Sequence, residues 1–87
     1  MEIEKLYALF LSSKGVTTDT RTCADGLIFF ALKGERFNGN SFALQALEKG
    51  CSYAVIDEAE YYDSTNSQLI LVDNVLLTLC LLYTSPS

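Results

Sequence analysis

The 87-residue sequence contains no histidine. This absence excludes histidine-activated nucleophiles, histidine acid–base catalysis and histidine-bound metals, because no other unperturbed side chain changes charge near neutral pH. Two phosphate-binding patterns are missing as well, the loop G-x-x-x-x-G-K-[ST] and the turn G-x-G-x-x-G after a strand. The sequence therefore lacks these motifs for nucleotide hydrolysis and hydride transfer, and we do not expect the chain to catalyse a reaction by itself.

Long apolar runs and an excess of basic charge are absent too. No stretch approaches the ~18 apolar residues that span a bilayer, and Glu2 and Glu4 place acid where a secretory signal carries base. We therefore expect a cytoplasmic protein without a membrane partner. The net charge of −5 disfavours nucleic acid, whose phosphates need a basic face. A small anion fits better, since Arg21, Lys33 and Arg36 are half of the six basic residues.

The cysteines and acidic residues show no metal-type pattern. Cys23, Cys51 and Cys80 are an odd number without ligand spacing, and we interpret them as reduced, partly buried thiols. Four acidic residues cluster between two apolar runs: Asp57, Glu58, Glu60 and Asp63. We interpret them as a solvated loop rather than a divalent-metal site, because adjacent carboxylates repel and no glycine shapes an ion-binding turn.

Apolar periodicity predicts one small α/β domain. Unbroken apolar runs are typical of strands covered on both faces, whereas helical spacing predicts amphipathic helices. We predict helices over residues 2–11 and 42–49 and from 75 onward, and strands over 15–19, 27–32, 52–56 and 68–72. Because strand, helix and strand follow one another between residues 27 and 56, the sheet should contain a βαβ unit. The expected fold is a three-layer-type α/β domain with a mostly parallel sheet.

Signals at helix ends and in loops add detail. Ser41 is the predicted N-cap of the second helix, and Asp73 or Asn74 that of the third. Phe37 lies in a loop rich in glycine and asparagine, where a core role is less natural. The other aromatic residues considered are assigned mostly to the core: Tyr7, Phe10, Phe29, Phe30 and Phe42.

Two segments carry a motif. Thr18-Asp19-Thr20-Arg21 follows the first strand, and the run from Gly26 to Phe42 reads G-L-I-F-F-A-L-K-G-E-R-F-N-G-N-S-F. With Ala46, Gly50 and the strand that follows, these segments resemble the N-terminal domain of the Mur ligases. The pattern of that domain includes [ST]-x-D-[ST]-R, L-F-x-A-L-x-G and [DN]-G-[HN] at fixed spacing. The match extends over residues 16–76 and rests on several spacings together.

The resemblance implies that residues 1–78 bind the UDP portion of a UDP-N-acetylmuramoyl peptide, the peptidoglycan precursor that these ligases extend. Missing central ATPase and C-terminal domains of the same chain would supply catalysis with ATP and Mg²⁺, and no cofactor is expected in this fragment. Within the family the chain most resembles the member that adds D-alanyl-D-alanine to the tripeptide. The member that adds the third peptide residue shares the same domain plan.

Carried onto matching positions, the resemblance implies UDP contacts from two loops. The first loop contributes Thr18, Asp19, Thr20 and Arg21, and the second contributes Glu35, Arg36, Phe37 and Asn38. Hydroxyl and backbone N–H groups would hydrogen-bond uracil and ribose, an arginine would neutralise the diphosphate and an aromatic ring would stack on the base.

Several of these residues also have a structural interpretation. Asp19 could cap the following turn and pair with Arg21, with equal weight to a ligand contact. Asn38 and Gly39 fit a role in shaping their loop. Asn40 stands where many relatives have histidine, so no side-chain contact to ligand is assigned to it.

Residues 79–87 depart from the family pattern, and we expect a tail that is either non-native or the start of a truncated linker. Two other function classes stay open. A stand-alone binding or regulatory module is one, and a small independent enzyme is the less supported, because no nucleophile, base or ATP site is visible.

Overall fold

The computed structural model describes residues 3–33 and 38–84, and their element order is the predicted one. Apolar runs became strands and amphipathic segments became helices, as the periodicity requires. The helices are α1 (Ile3–Ser12), α2 (Ala43–Glu48) and α3 (Val75–Thr84), and the strands are β1 (Gly15–Thr17), β2 (Leu27–Phe30), β3 (Tyr53–Ile56) and β4 (Leu69–Leu71). Three short 3₁₀ turns lie between them at Thr20–Thr22, Gly39–Phe42 and Ala59–Tyr61.

The four strands form one sheet in the order β1-β2-β3-β4, and each neighbouring pair is parallel. In the register Val16 lies opposite Ile28, and Val55 lies opposite Ile70. The predicted parallel sheet with its βαβ unit, formed by β2, α2 and β3, is therefore confirmed. Because parallel strands point the same way, the residues that follow each strand meet at one edge.

The sheet is covered on both faces, which explains why its strands lack polar alternation. Full burial of a side chain such as Phe30 contributes about 1.5–3 kcal/mol, so these strands hold the domain together. On one face the buried cluster is Phe29, Ala31, Ala43, Ala46, Cys51, Ala54, Ile56 and Leu69, which includes α2. On the other face it is Leu6, Ile28, Phe30, Val55, Ile70, Val75 and Leu82, which includes α1 and α3.

The start of α2 differs from the prediction. Ser41 is not its N-cap: α2 begins after Phe42, and the Ser41 hydroxyl donates to the Asn38 carbonyl over 2.8 Å. The physical reason is that the Asn38 side chain accepts from the Asn40 N–H and starts the Gly39–Phe42 turn first. This turn leaves Phe42 40% exposed, so its predicted core role is wrong. At α3 the predicted Asn74 cap is confirmed, since Asn74 Oδ1 accepts from Leu77 N–H over 2.9 Å.

The helix α3 continues across residue 78, and the predicted boundary there stays a prediction. Leu82 is buried against the sheet, and the ring of Tyr83 meets that of Phe10 edge-on at 5.4 Å. The other side of the helix exposes Leu76, Leu77 and Leu81. Over the ranges 3–33 and 38–84, no helix combines the length and the apolar character that crossing a membrane requires.

The cysteines only partly follow the prediction. Cys51 is buried and Cys23 is half-buried, whereas Cys80 is exposed because it lies on the outer side of α3. Burial, together with the neighbouring Cys23, raises the pKa of the Cys51 thiol to about 12. Its thiol is therefore protonated near neutral pH. In the described part of the chain, no three histidine, cysteine or acidic residues are grouped as a metal site.

Candidate functional site

A cleft of about 420 Å³ opens at the carboxyl edge of the sheet. It lies where ligands commonly bind in parallel α/β sheets, and its volume is within the range of small-molecule pockets. The loop after β1 forms one side, and β2 with the Gly39–Phe42 turn forms the other. The lining residues are Thr18, Asp19, Thr20, Arg21, Phe29, Gly39 and Phe42.

The first side of the cleft is shaped by a ring of hydrogen bonds around Asp19. The hydroxyl oxygens of Thr17 and Thr22 lie 3.1 and 3.0 Å from the Asp19 carbonyl and also contact each other. Because the two hydroxyls have one hydrogen each, one donates to the carbonyl and the other donates to the carbonyl or to its neighbour. Asp19 Oδ1 accepts from the Arg21 N–H over 2.8 Å, which caps the Thr20–Thr22 turn. The capping role considered for Asp19 is therefore confirmed, and it holds the loop in one conformation.

Asp19 also pairs with the Arg21 side chain. Arg21 Nη2 donates to Asp19 Oδ2 over 2.8 Å, and Nε donates to the same oxygen over 3.0 Å. The Arg21 side chain is nevertheless 86% exposed. These hydrogen bonds from Arg21 hold the pKa of Asp19 below its usual range. Since a guanidinium has five N–H groups, Arg21 keeps donors for an anionic ligand.

The second side of the cleft depends on a close approach of backbone to backbone. Gly39 N–H donates to the Leu32 carbonyl over 2.9 Å, just beyond the end of β2. A Cβ at position 39 would lie 2.8 Å from Leu32 N and would also collide with Leu32 O, so only glycine fits. Phe42, at the end of the same turn, places a half-exposed aromatic side chain at the cleft.

The predicted site residues fall into three groups. Thr18, Asp19, Thr20 and Arg21 lie together in the cleft. Asn38 is not one of the described lining residues; it caps the Gly39–Phe42 turn and donates through Nδ2 to Glu58 Oε1, as the structural interpretation predicted. The remaining three, Glu35, Arg36 and Phe37, lie outside the described residues.

Sequence reasoning missed three lining residues, Phe29, Gly39 and Phe42. Phe29 was assigned to the core, and this assignment is confirmed because it is buried as well as bordering the cleft. Phe42 was assigned to the core by its apolar neighbours, and Gly39 was assigned only to loop shape. The position of Phe42, two residues after the N-G-N triplet, could have indicated a place at the site. Its spacing also fits the apolar face of the second helix, and this second interpretation was preferred.

Beside the cleft, Lys33 is neutralised by the acidic residues after β3. Lys33 Nζ lies 3.4 Å from Asp57 Oδ1 and 3.2 Å from Glu58 Oε1. Burial raises the pKa of Asp57, but hydrogen bonds from Val75 N–H and Asn40 and the charge of Lys33 together outweigh it, and the net direction is downward. The prediction of a solvated acidic loop is therefore wrong for Asp57, whereas Glu60 and Asp63 are exposed as expected.

Fold and cleft together define the class of protein: a parallel α/β domain with a polar, arginine-containing cleft at the carboxyl ends of its strands. The family model described as "Mur ligase family, catalytic domain" matches residues 12–78. The chain belongs to the Mur ligase family, and the predicted resemblance is confirmed.

Among curated relatives, the UDP-N-acetylmuramoyl-tripeptide--D-alanyl-D-alanine ligase of Bacillus subtilis is 43% identical over 65 residues, covering 75% of this chain and 14% of the relative. The UDP-N-acetylmuramoyl-L-alanyl-D-glutamate--2,6-diaminopimelate ligase 2 of Clostridium acetobutylicum is 32% identical over 82 residues, covering 88% of this chain and 17% of the relative. Among solved structures, the MurF ligase from Thermotoga maritima in complex with ADP is similar with a TM-score of 0.72 and 25% identity, over 84% of this chain and 16% of that one. The chain thus spans 14% to 17% of the length of these proteins.

Proposed function

We propose that this chain binds the uridine diphosphate portion of a UDP-N-acetylmuramoyl peptide, as the N-terminal part of a cytoplasmic, ATP-dependent ligase of peptidoglycan biosynthesis. The observation that carries the proposal is that the whole motif Thr18-Asp19-Thr20-Arg21 lines one cleft. Two hydroxyls, one guanidinium and an aromatic side chain meet there, which is the chemistry that a pyrimidine nucleoside diphosphate requires.

Each part of the ligand has a counterpart in this cleft. Arg21, exposed and held by Asp19, neutralises the diphosphate through its remaining donors. The hydroxyls of Thr18 and Thr20 bond the ribose or the uracil edge, and Phe42 stacks on the base. Glu35, Arg36 and Phe37 of the second loop complete the contacts in this proposal, and Asn38 contributes through the turn that it caps.

The proposal assigns neither ATP nor Mg²⁺ to this chain. The sequence lacks the G-x-x-x-x-G-K-[ST] loop, and the residues that the structure describes hold no group of three metal ligands. In the proposal ATP and Mg²⁺ therefore bind to the central ATPase domain of the parent protein, which with its C-terminal domain carries the catalysis. The chain alone supplies affinity and no turnover.

The member of the family that we favour is the ligase that adds D-alanyl-D-alanine. Relatives of that kind from Bacillus subtilis and Escherichia coli are both 43% identical to this chain, over 65 and 72 residues. The alternative is the ligase that adds diaminopimelate, of which the Clostridium acetobutylicum relative is 32% identical over 82 residues and the Aquifex aeolicus relative is 44% identical over 45 residues. The preference therefore rests on the greater length over which the 43% identity holds. Ligase assays of the parent protein with D-alanyl-D-alanine and with diaminopimelate distinguish the two.

Isothermal titration calorimetry tests the binding proposal. UDP and UDP-N-acetylmuramoyl-tripeptide are each titrated into the folded 87-residue protein, with cytidine diphosphate and uridine as controls. Both uridine diphosphates should bind, cytidine diphosphate should bind more weakly because the hydrogen-bonding edge of its base differs, and uridine should lose the contribution of Arg21. Absence of heat for every ligand, in a sample whose circular dichroism shows it folded, would contradict the proposal.

A further inference from the structure

The side chain of Asn40 is 1% exposed, and its hydrogen-bonding groups are fully used. Its Nδ2 donates to Asn38 Oδ1 over 2.9 Å and to Asp57 Oδ1 over 3.0 Å. Its Oδ1 accepts from the N–H groups of Asp57 and Glu58 over 2.9 and 3.3 Å. Because a carboxamide has two N–H bonds and two lone pairs, any replacement leaves at least one of these buried partners unpaired.

These bonds connect one side of the cleft to the residues that follow β3 at the same carboxyl edge of the sheet. Asn40 lies inside the Gly39–Phe42 turn, between two residues that line the cleft, and is not itself one of the described lining residues. Asp57 follows β3, and its second oxygen accepts from Val75 N–H over 3.0 Å at the start of α3. One carboxylate is therefore shared between the cleft turn and the N-terminus of a helix.

We propose that Asn40 is a positioning residue for the nucleotide cleft, which fixes Gly39 and Phe42 in place by anchoring their turn to the carboxylate of Asp57. The inference rests on the proposed function, because its readout is affinity for uridine diphosphate. The hydrogen bonds from Val75 N–H and Asn40, together with the charge of Lys33 at 3.4 Å, favour the ionised form of this carboxylate, which accepts from both sides.

The substitution Asn40→Asp tests this arrangement through pH. When protonated, the new carboxyl keeps the bonds that connect the turn to Asp57: one oxygen accepts from the two backbone N–H groups, and the O–H donates to Asp57 Oδ1. Only the bond to Asn38 Oδ1 is lost. When ionised, it cannot donate and faces the like charge of Asp57. The carboxylates of Asp57, Glu58 and, next to Glu58, Glu60 favour the protonated form of the new carboxyl, whereas Lys33 and the N–H groups of Asp57 and Glu58 favour the ionised form. Because the carboxylate of Asp57 would be in direct contact with it, we expect protonation at higher pH than in a free carboxyl.

The expected result is a pH-dependent loss of binding. At about pH 8 the variant should bind UDP about tenfold more weakly than the wild type, and at about pH 5 its affinity should be within about threefold of the wild type. Each affinity is divided by that of the wild type at the same pH, because this ratio cancels the effect that ionisation of UDP has on both proteins. The matched control is Asn66→Asp, the same chemical change in the loop before β4. Its affinity for UDP, divided by that of the wild type, should stay at about one at both pH values.

A second variant separates positioning from simple loss of stability. The double substitution Asn40→Asp with Asp57→Asn exchanges the amide and the carboxylate, so that the amide at position 57 donates to position 40 and still accepts from Val75 N–H. Its affinity at about pH 8 should return to within about threefold of the wild type. This variant decides the matter alone if Asn40→Asp does not fold at that pH.

Three results would overturn the inference: equal affinity of Asn40→Asp and wild type at about pH 8, an equal loss at both pH values, or no recovery in the exchanged variant. The fraction of folded protein, measured by circular dichroism in each sample, corrects every affinity. A wild type that binds no UDP at either pH refutes the proposed function instead, so the two failures are distinguishable.

Discussion

At the residue scale, Arg21 is expected to contribute to the affinity for an anionic ligand and little to the stability of the fold. Its partner Asp19 is already satisfied by the backbone N–H of the same turn, and exposed ion pairs contribute only ~0–1 kcal/mol to folding. Its position in the cleft therefore matters for an anionic ligand more than for the fold. The ion pair with Asp19 preorganises the Arg21 side chain, so its orientation is fixed before a ligand binds.

We predict that Arg21→Ala lowers the affinity for UDP by about tenfold or more, because a hydrogen bond to a charged group is worth about 1.5–3 kcal/mol. The free energy of unfolding should change by less than about 1 kcal/mol. Calorimetry and urea unfolding measure the two quantities. Lys5→Ala, which removes the same charge from the exposed face of α1, is the control and should leave both unchanged.

Asp57 gives a prediction about pH. Its carboxylate accepts from Asn40 Nδ2 and Val75 N–H, and Asp57→Asn places a second N–H group against one of these donors. We expect the variant to lose about 1–3 kcal/mol of unfolding free energy at neutral pH. Because the pKa of Asp57 is lowered in the folded protein, its contribution is complete above the unfolded value near ~4 and is lost as the pH falls through the lowered value.

Urea unfolding of wild type and Asp57→Asn at a series of pH values measures this difference. The gap between them should be constant from neutral pH to about pH 5 and should narrow below about pH 4. Asp73→Asn, an exposed carboxyl just before the same helix, should follow the wild type. A gap that stays constant down to about pH 2 would show that Asp57 acts without its charge.

At the element scale, the sequence predicted what apolar patterning controls and missed what local hydrogen bonds decide. The strands and helices follow from apolar runs, and the parallel sheet follows from the order of β2, α2 and β3. The start of α2 was wrong because Asn38 and Ser41 are both good capping residues. Nothing in the sequence says which of them starts a turn before the helix begins.

The Gly39–Phe42 turn provides a test at this scale. Gly39→Ala should lower the unfolding free energy by about 1–3 kcal/mol, because the added Cβ meets the backbone of Leu32, and it should also weaken UDP binding by displacing Phe42. Gly50→Ala is the matched control: Gly50 has φ +119 at the end of α2, where alanine is strained but far from the cleft in the fold. It should lower stability without changing the affinity of the folded protein.

Unfolding curves and calorimetry on both glycine variants check this contrast. If Gly39→Ala binds UDP like the wild type after correction for the folded fraction, the Gly39–Phe42 turn does not determine the shape of the binding cleft. If Gly50→Ala loses affinity as well, the effect belongs to general loosening of the domain.

At the scale of the whole molecule, charge and topology act together. The net charge of −5 repels a diphosphate at long range, but that repulsion is screened beyond about 8 Å at physiological salt. Binding therefore depends on positive charge inside the cleft. Lys33 is engaged by Asp57 and Glu58 beside the cleft. Arg21 is paired with Asp19, but it is a cation among the described lining residues and keeps further N–H donors for a ligand.

The sequence predicted one half of the candidate site. The motif Thr18-Asp19-Thr20-Arg21 is contiguous, so its members had to lie together once β1 was recognised. Phe29, Gly39 and Phe42 come from segments that meet this loop only after the sheet has formed, and the Asn40 contacts join residues 17 and 18 positions apart. Such contacts are properties of the folded sheet and leave no short-range pattern in the sequence.

The central claim is that the cleft at the carboxyl edge binds uridine diphosphate, and a crystal structure of this protein grown with saturating UDP tests it most directly. We predict the diphosphate within hydrogen-bond distance of Arg21 and the backbone or hydroxyls of Thr18 and Thr20, and the uracil ring against Phe42. UDP bound instead in the groove between α1 and α3, beside Leu6 and Leu77, or a cleft that stays empty at saturation, would contradict the account.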